Sequence, residues 1–491
     1  MLRKIRITLA SIFFIGITLL FLDFTGTAHA WLGWMSRIQF LPAVLALNIA
    51  VIVGLVALTL IFGRIYCSTI CPLGVFQDLV IWLRGRGKNK KYRFKFRPAL
   101  KWVRLVILAL FVAMLIFGVA SIAMLIAPYG AYGRIASNLF APIWAAGNNL
   151  LAMIAERVDS YAFYSTDIVI ASLSTFVIAL VTMIAIVAIA WVGGRTYCNT
   201  ICPVGTVLGY ISKFSLLKIR IDTEKCNSCG LCSRRCKASC INGKAHEVDY
   251  TRCVACMDCI DTCRHGAISY TFRRKAAPKQ QPTDQSRRSF LTITGAVAAS
   301  AAFSATAKKV DGGLAAIEDK KAPKRATKIV PFGAASIRNF EQHCVACQQC
   351  VAVCPNNVLR PSSDLGSLMQ PEVSYENGYC RPECVKCSQV CPTGSIRPIT
   401  VEEKSAIQIG HAVVIPANCL LYTEGTECGN CARHCPVGAI DIINCTNDPS
   451  SPRIPVVDTE RCIGCGACEY LCPSRPFSAI YVEGHEVHRN V

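Results

Sequence analysis

Histidine is scarce in this chain. There are eight in 491 residues, and none lies in the four long apolar runs of the first 192. A haem held between membrane helices by two axial histidines is therefore excluded there. Glycine-rich phosphate loops are missing as well, and nothing has the look of a molybdenum or nucleotide site. No dedicated sensor domain is present, which leaves transmembrane signalling without a basis. Acidic residues are few, 31 against 52 Lys and Arg, for a net charge of +21. The basic excess is clustered: residues 84–104 hold ten Lys or Arg and no acid. That block sits between two apolar runs, which marks a cytoplasmic membrane flank and not a nucleic-acid surface.

Cysteine is what the chain has in excess, with 30 residues. The length is too great for one core, so several domains are expected. Thirty cysteines mean a disulfide scaffold or metal clusters, and the spacings decide between them.

The apolar runs cover about 5–22, 40–62, 103–127 and 168–192. Each approaches or exceeds the ~20 residues that a hydrocarbon core requires. The expected fold class is thus multidomain: an α-helical membrane bundle of four spans over 1–215, then α+β ferredoxin-like domains. The basic start, Arg3-Lys4-Ile5-Arg6, puts the N-terminus inside. Segments 23–39 and 128–167 then fall outside, and the chain after residue 192 returns to the cytoplasm. His29 falls in the first outside loop, as a solvated residue or as a contact for a quinone head group. Without haem, a quinone is the mobile carrier by which this part would exchange electrons.

Gly63 to Gly74 repeats as Gly194 to Gly205, with nine of twelve positions identical. Each copy carries Cys-x-x-x-Cys-Pro, at Cys67 and Cys71 and at Cys198 and Cys202. Both copies follow an even-numbered span, so both face the cytoplasm. Packing thiols are one reading. A static disulfide does not suit a reducing compartment. A redox pair, or four thiolates around one site, is the other reading.

Over 216–275, Cys226, Cys229, Cys232 and Cys236 are spaced x2, x2, x3, and Cys253, Cys256, Cys259 and Cys263 repeat the pattern. This is the bacterial two-cluster ferredoxin arrangement, in which the fourth cysteine of each motif serves the other cluster. It assigns Cys226, Cys229, Cys232 and Cys263 to one [4Fe-4S] cluster. Cys253, Cys256, Cys259 and Cys236 go to the next. Lys237 and Arg264 stand where proline usually follows, and Cys240 is a spare that could replace Cys236. Structural zinc competes, but zinc sites pair two short knuckles rather than runs of four.

Residues 276–335 read as a linker holding Arg287-Arg288-Ser289-Phe290-Leu291, an apolar run of small residues and Ala305-Thr306-Ala307. This stretch resembles a twin-arginine (Tat) export signal, although it stands past the middle of the chain. A basic flank before a short fifth anchor is the alternative. Under the Tat reading, everything after Ala307 crosses the membrane.

Four more quartets follow over 336–491: Cys344, Cys347, Cys350 and Cys354; Cys380, Cys384, Cys387 and Cys391; Cys419, Cys428, Cys431 and Cys435; Cys462, Cys465, Cys468 and Cys472. Each ends in Cys-x-x-x-Cys-Pro. Six quartets give six [4Fe-4S] clusters, with Cys445 left over.

On these motifs, residues 1–275 resemble the NapH type of membrane quinol dehydrogenase component, and NosR-type and CcoG-type proteins share parts of that core. Residues 286–491 resemble the NapG type of Tat-exported four-cluster ferredoxin, so the chain resembles a fusion of the two. The resemblance implies a nested pairing, in which Cys472 completes the Cys344 set, Cys354 completes the Cys462 set, and the middle quartets exchange likewise. It also implies electron transfer from the quinone pool to a periplasmic reductase such as a nitrate reductase. The expected partners are the bilayer, the quinone pool, a periplasmic redox enzyme or cytochrome, and the Tat translocase. The expected location is a bacterial inner membrane, with the first ferredoxin domain cytoplasmic and the second periplasmic. The alternative is an accessory role in maturing an exported metalloenzyme.

Overall fold

A computed structural model describes residues 2–23, 25–86, 94–157, 159, 163–166, 172–272, 320–446 and 451–490. The twin-arginine stretch and its apolar run lie outside the described residues.

Among the described residues, two helices are long and apolar enough to cross a membrane: α1 (Leu2–Leu22) and, later, Leu173–Gly193. The second expected span is broken into α2 (Phe40–Leu45) and α3 (Ile49–Phe62). Leu47 takes a left-handed backbone between them, and the Asn48 side chain caps α3 by accepting from the Val51 amide. The repeat leads from α3 into α4 (Pro72–Arg86). The third expected span is interrupted too. α5 (Lys101–Ile116) ends at Gly118, whose positive φ of 81° turns the chain into α6 (Ala120–Met124). Four uninterrupted spans are therefore not what the apolar runs form.

The segment expected to fall outside, residues 128–167, forms α7 (Pro128–Ile135), a π-helical turn and α8 (Ala141–Glu156). Every residue of α7 is buried. Tyr132 meets the last turns of α1, at 2.5 Å from Thr18 Oγ1, and lies edge-on to Phe21 and Phe76. Then α9 (Leu173–Gly193) buries only Thr175, Ala179, Ile186 and Ala190, a narrow stripe that leaves its other apolar side chains outward. The second repeat copy leads into α10 (Pro203–Ser212).

The first cysteine-rich unit is closed by β1 (Leu217–Ile221) and β2 (Ile268–Phe272), antiparallel with Leu217 opposite Phe272. It carries two short helices, α11 (Leu231–Arg235) and α12 (Asp258–Thr262). The second unit has α13 (Gln349–Ala352), α14 (Lys386–Val390), α15 (Asn430–Arg433) and α16 (Ala467–Leu471). Its longer strands are β3 (Ile407–Val414), β4 (Ile440–Asn444), β5 (Arg453–Val457) and β6 (Ile480–Asn490), paired β3 with β6 and β4 with β5.

The two units dock at opposite ends of α1. At its start, Arg3 and Arg6 pair with Asp258 and Asp78, and Lys237 bridges the same two carboxylates at 2.9 and 3.0 Å. Near its end, Phe21 packs on Tyr129 and Tyr132 of α7, and α7 receives the loop 345–348 of the second unit. Gly130 and Gly133 lie so close to the Val345 and Cys347 carbonyls that a Cβ at either would collide. Asn138 donates to Gln348 Oε1 at 2.6 Å, and Arg134 reaches the Ala346 carbonyl. Val345 and Cys347 thereby join the same core as α1 and α7.

Candidate metal centres

Four of the cysteine motifs share one backbone path. The residues before and after the second cysteine take left-handed φ: Ser228 and Gly230, Ala255 and Met257, Ala346 and Gln348, Gly464 and Gly466. This coils the chain so that successive cysteines turn toward one centre. In all six motifs the third cysteine lies on a short helix, α11 to α16, and the fourth stands at or just past its end. All the cysteines are free thiols.

These helices pack in consecutive pairs, α11 on α12, α13 on α14 and α15 on α16, and the pairing decides which thiols meet. Cys226, Cys229, Cys232 and Cys263 line one cavity. Cys236 stands with Cys253, Cys256 and Cys259. In the second unit Cys391 stands with Cys344, Cys347 and Cys350. Cys354 lines a cavity with Cys380, Cys384 and Cys387. Cys472 lines one with Cys419, Cys428 and Cys431, and Cys435 stands with Cys462, Cys465 and Cys468. The nested pairing implied by the resemblance is thus corrected: neighbouring quartets exchange fourth ligands, because the short helices pack with their sequence neighbours.

The donor sets fit iron–sulfur clusters. Among the described residues, no three His, Cys, Asp or Glu side chains converge on a single-ion position. The thiols surround a body instead. Burial pushes Cys344, Cys350 and Cys468 well above the ordinary thiol range, and neighbouring thiols add to it. Iron binding supplies the charge compensation that lets such buried thiols ionise. Amide N–H groups already point at sulfur: Ala439 at Cys435 (3.2 Å), Ala479 at Cys472 (3.3 Å) and Ala346 at Cys344 (3.4 Å).

The repeated motif is brought together as well. Cys67, Cys71, Cys198 and Cys202 are all buried and all within one another's electrostatic reach. A further cavity of about 420 Å³ lies where the end of α1 and α8 face the second unit. Its lining includes Phe21, Trp144, Tyr164, Asn138, Gln348 and Cys354.

Known proteins agree with this chemistry. A family model described as a 4Fe-4S dicluster domain matches residues 425–475, and a 4Fe-4S binding domain model matches 44–91 and 175–222. The methylamine utilization ferredoxin-type protein MauM of Methylobacillus flagellatus is 33% identical over 165 residues, 33% of this chain and 70% of that protein. The chain belongs to the 4Fe-4S ferredoxin-type proteins related to MauM, NapG and NapF. The ferredoxin-type protein NapG of Escherichia coli is 29% identical over 176 residues, 33% of this chain and 75% of NapG. The putative electron transport protein YccM of Escherichia coli is 23% identical over 245 residues, 49% of this chain and 60% of YccM. No solved structure matches.

Three residues near the clusters of this ferredoxin-type chain have roles that their local sequence does not reveal. Cys240 lies 3.5 Å from Cys236 Sγ and within hydrogen-bond reach of Cys253. Its contact draws Cys236 down to about 7, while Cys240 itself is pushed up. Lys404, 1% exposed, donates to Cys380 Sγ at 3.2 Å and to the Arg381 and Cys384 carbonyls. Only its apolar neighbours Ile407 and Ile409 hinted at burial. Lys237, in the usual proline position, is the cation that ties the first unit to Asp78. Burial raises the Asp78 carboxyl, but the charges of Arg195, Lys237 and Arg6 outweigh it and hold the group well below the usual carboxylate range.

Proposed function

We propose that this protein is a membrane-bound electron carrier between the quinone pool and an exported reductase, with six [4Fe-4S] clusters in its two ferredoxin-type units. When bound, these clusters supply one-electron carriers. The observation that carries the reading is the docking of the two units at opposite ends of α1, about 30 Å apart along a 21-residue helix. That length matches a hydrocarbon core. The cavity beside Cys354 has the size and mixed lining of a small-molecule site. A quinol seated there gives up two electrons, one at a time, to the second unit, and two protons to the outer side. The names of MauM and NapG, both ferredoxin-type proteins, fit a chain that hands electrons onward. In this reading Arg287 and Arg288 direct Tat export of the second unit, and the chain joins NapH-type and NapG-type functions.

The test uses the full chain in proteoliposomes containing ubiquinol or menaquinol. Iron–sulfur absorbance should bleach, and Ala145→Trp, which fills the cavity, should slow that bleaching at least ~10-fold. Reduction by a soluble artificial donor should stay unchanged. Equal quinol rates in both proteins would overturn the cavity as the quinol site. No quinol reduction of the unsubstituted protein would overturn the quinone reading itself.

A further inference from the structure

The two Cys-x-x-x-Cys-Pro copies meet about a pseudo-twofold axis, and their arginines cross over. Arg64 of the first copy donates to the Cys198 carbonyl (3.1 Å) and to Asn199 Oδ1 (2.9 Å) of the second. Arg195 of the second donates to the Cys67 carbonyl (2.7 Å) of the first. Both guanidinium groups are fully buried. Gly74 and Gly205 leave room for these crossings, since a Cβ at either would strike the opposite arginine and the carbonyl of its own copy's first cysteine.

Several donors face the four thiols. Arg64 Nη2 lies 3.8 Å from Cys67 Sγ, and Arg195 Nη1 lies 3.9 Å from Cys198 Sγ. Gln77 Nε2 lies 3.3 Å from Cys198 Sγ. Cys202 caps α10 and accepts from the Gly205 amide at 3.3 Å. Cys71, which precedes α4, takes the Gly74 amide in the same way. Sulfur at a helix start is favoured as an anion. Arg195 is neutralised by Asp78, but among the described residues Arg64 has no carboxylate partner. A fully buried guanidinium without a counter-charge is costly. Arg64 Nε and Arg195 Nη2, both donors, are also left without partners. The pocket is electropositive and incomplete until something anionic binds the thiols.

We propose that Cys67, Cys71, Cys198 and Cys202 jointly hold one further [4Fe-4S] cluster, two ligands from each copy. Each stretch matched by the 4Fe-4S binding domain model contains only two cysteines, so neither copy can hold a cubane alone. The thiols do not converge on a single-ion position, which disfavours one zinc or copper ion. The anionic thiolate cluster supplies the counter-charge that Arg64 lacks.

The position makes this cluster a relay between the two units, a role that rests on the electron-transfer reading, whereas the binding does not. On one side, the Arg195 amide donates to the carbonyl of Lys237, the residue after Cys236, at 2.8 Å. On the other, Tyr197, Cys198 and Cys202 share one core with Cys347 of the second unit, and Arg134 of α7 reaches the Ala346 carbonyl beside it. The inward α7 thus carries the second unit's first set toward the repeat, and packed side chains connect all three.

Iron and acid-labile sulfide are counted in the anaerobically purified full chain and in a variant with all four cysteines changed to serine. The variant should lose four irons and four sulfides, and one electron paramagnetic resonance signal of the reduced protein should vanish. This difference does not depend on how many other clusters load. Equal counts, or loss of a single metal ion, would overturn the site. If the variant does not accumulate, Cys198→Ser alone should alter the same signal, and an unaltered spectrum would overturn the site. For the relay, a donor that reduces the first unit should reduce the second at least ~10-fold more slowly in the variant. Loss of iron with no slowing would leave the cluster and remove the relay.

Discussion

The two ferredoxin-type units hold on to the helical part by opposite means. The first is fixed by charge: Arg3, Arg6, Lys237 and Arg195 share Asp78 and Asp258 in one partly buried network. The second is fixed by shape, with two glycines under two carbonyls and a few hydrogen bonds from Arg134 and Asn138. An ionic joint tolerates small displacement but not loss of a partner, while a close-packed joint tolerates no added volume. The difference suits a first unit continuous with the chain and a second unit that seats itself after a long linker.

Asp78→Asn should have the largest effect. It leaves Arg6, Arg195 and Lys237 without their shared carboxylate, a loss of about 3–5 kcal/mol by analogy with other buried ion pairs. Limited proteolysis should then release residues near 216–272 first, with the second unit still docked. Simultaneous release of both units would break the contrast. Gly133→Ala should cost about 1–3 kcal/mol through overpacking against Cys347 and Phe21. Here the second unit should loosen alone, and no increase in its proteolytic sensitivity would count against the shape-based joint. Lys404→Met should lower the potential of the Cys354–Cys380–Cys384–Cys387 set by on the order of 100 mV, because a nearby positive charge favours the reduced cluster. Redox titration reads this, and an unmoved titration would mean that the lysine only braces the loop.

The smallest effect is a pH dependence confined to the second unit. Burial, aided by the neighbouring His485, pulls His488 down to about 4. The folded unit therefore prefers neutral His488. Its contribution is full above pH ~6.5 and is lost as pH falls from there toward 4. Denaturant midpoints at pH 7.5 and 5 should differ by less in His488→Gln than in the unsubstituted protein, by no more than about 2 kcal/mol. Identical pH slopes would show that His488 is not responsible.

The cysteine spacings were legible in the sequence because they are local: in four motifs a left-handed residue flanks the second cysteine on each side, and in all six a short helix carries the third. The exchange of fourth ligands was not legible in the second unit. It depends on which short helices pack together, and Cys354 and Cys472 look equivalent in sequence. The apolar runs marked α1 and α9 correctly. Their neighbours were misjudged because hydropathy averages over Asn48 and Gly118, single residues with decisive backbone roles. The inward course of α7 had no sequence signal, because its tyrosines and glycines serve close packing that only the fold reveals. Lys237 was visible as a departure from proline, yet its purpose required Asp78, 159 positions earlier.

The crossed arginines also set an order of events during synthesis. Arg64 emerges from the ribosome long before the groups that enclose it, Cys198, Asn199 and Thr251. Until about 190 further residues have been made, the first copy has a cation with no native place to rest and only half a set of thiols. The N-terminal half is thus an unfinished folding unit throughout that interval. Under the proposal above, a cluster on Cys67 and Cys71 must wait for Cys198 and Cys202, about 130 positions later, so loading at the repeat cannot precede translation of the second copy.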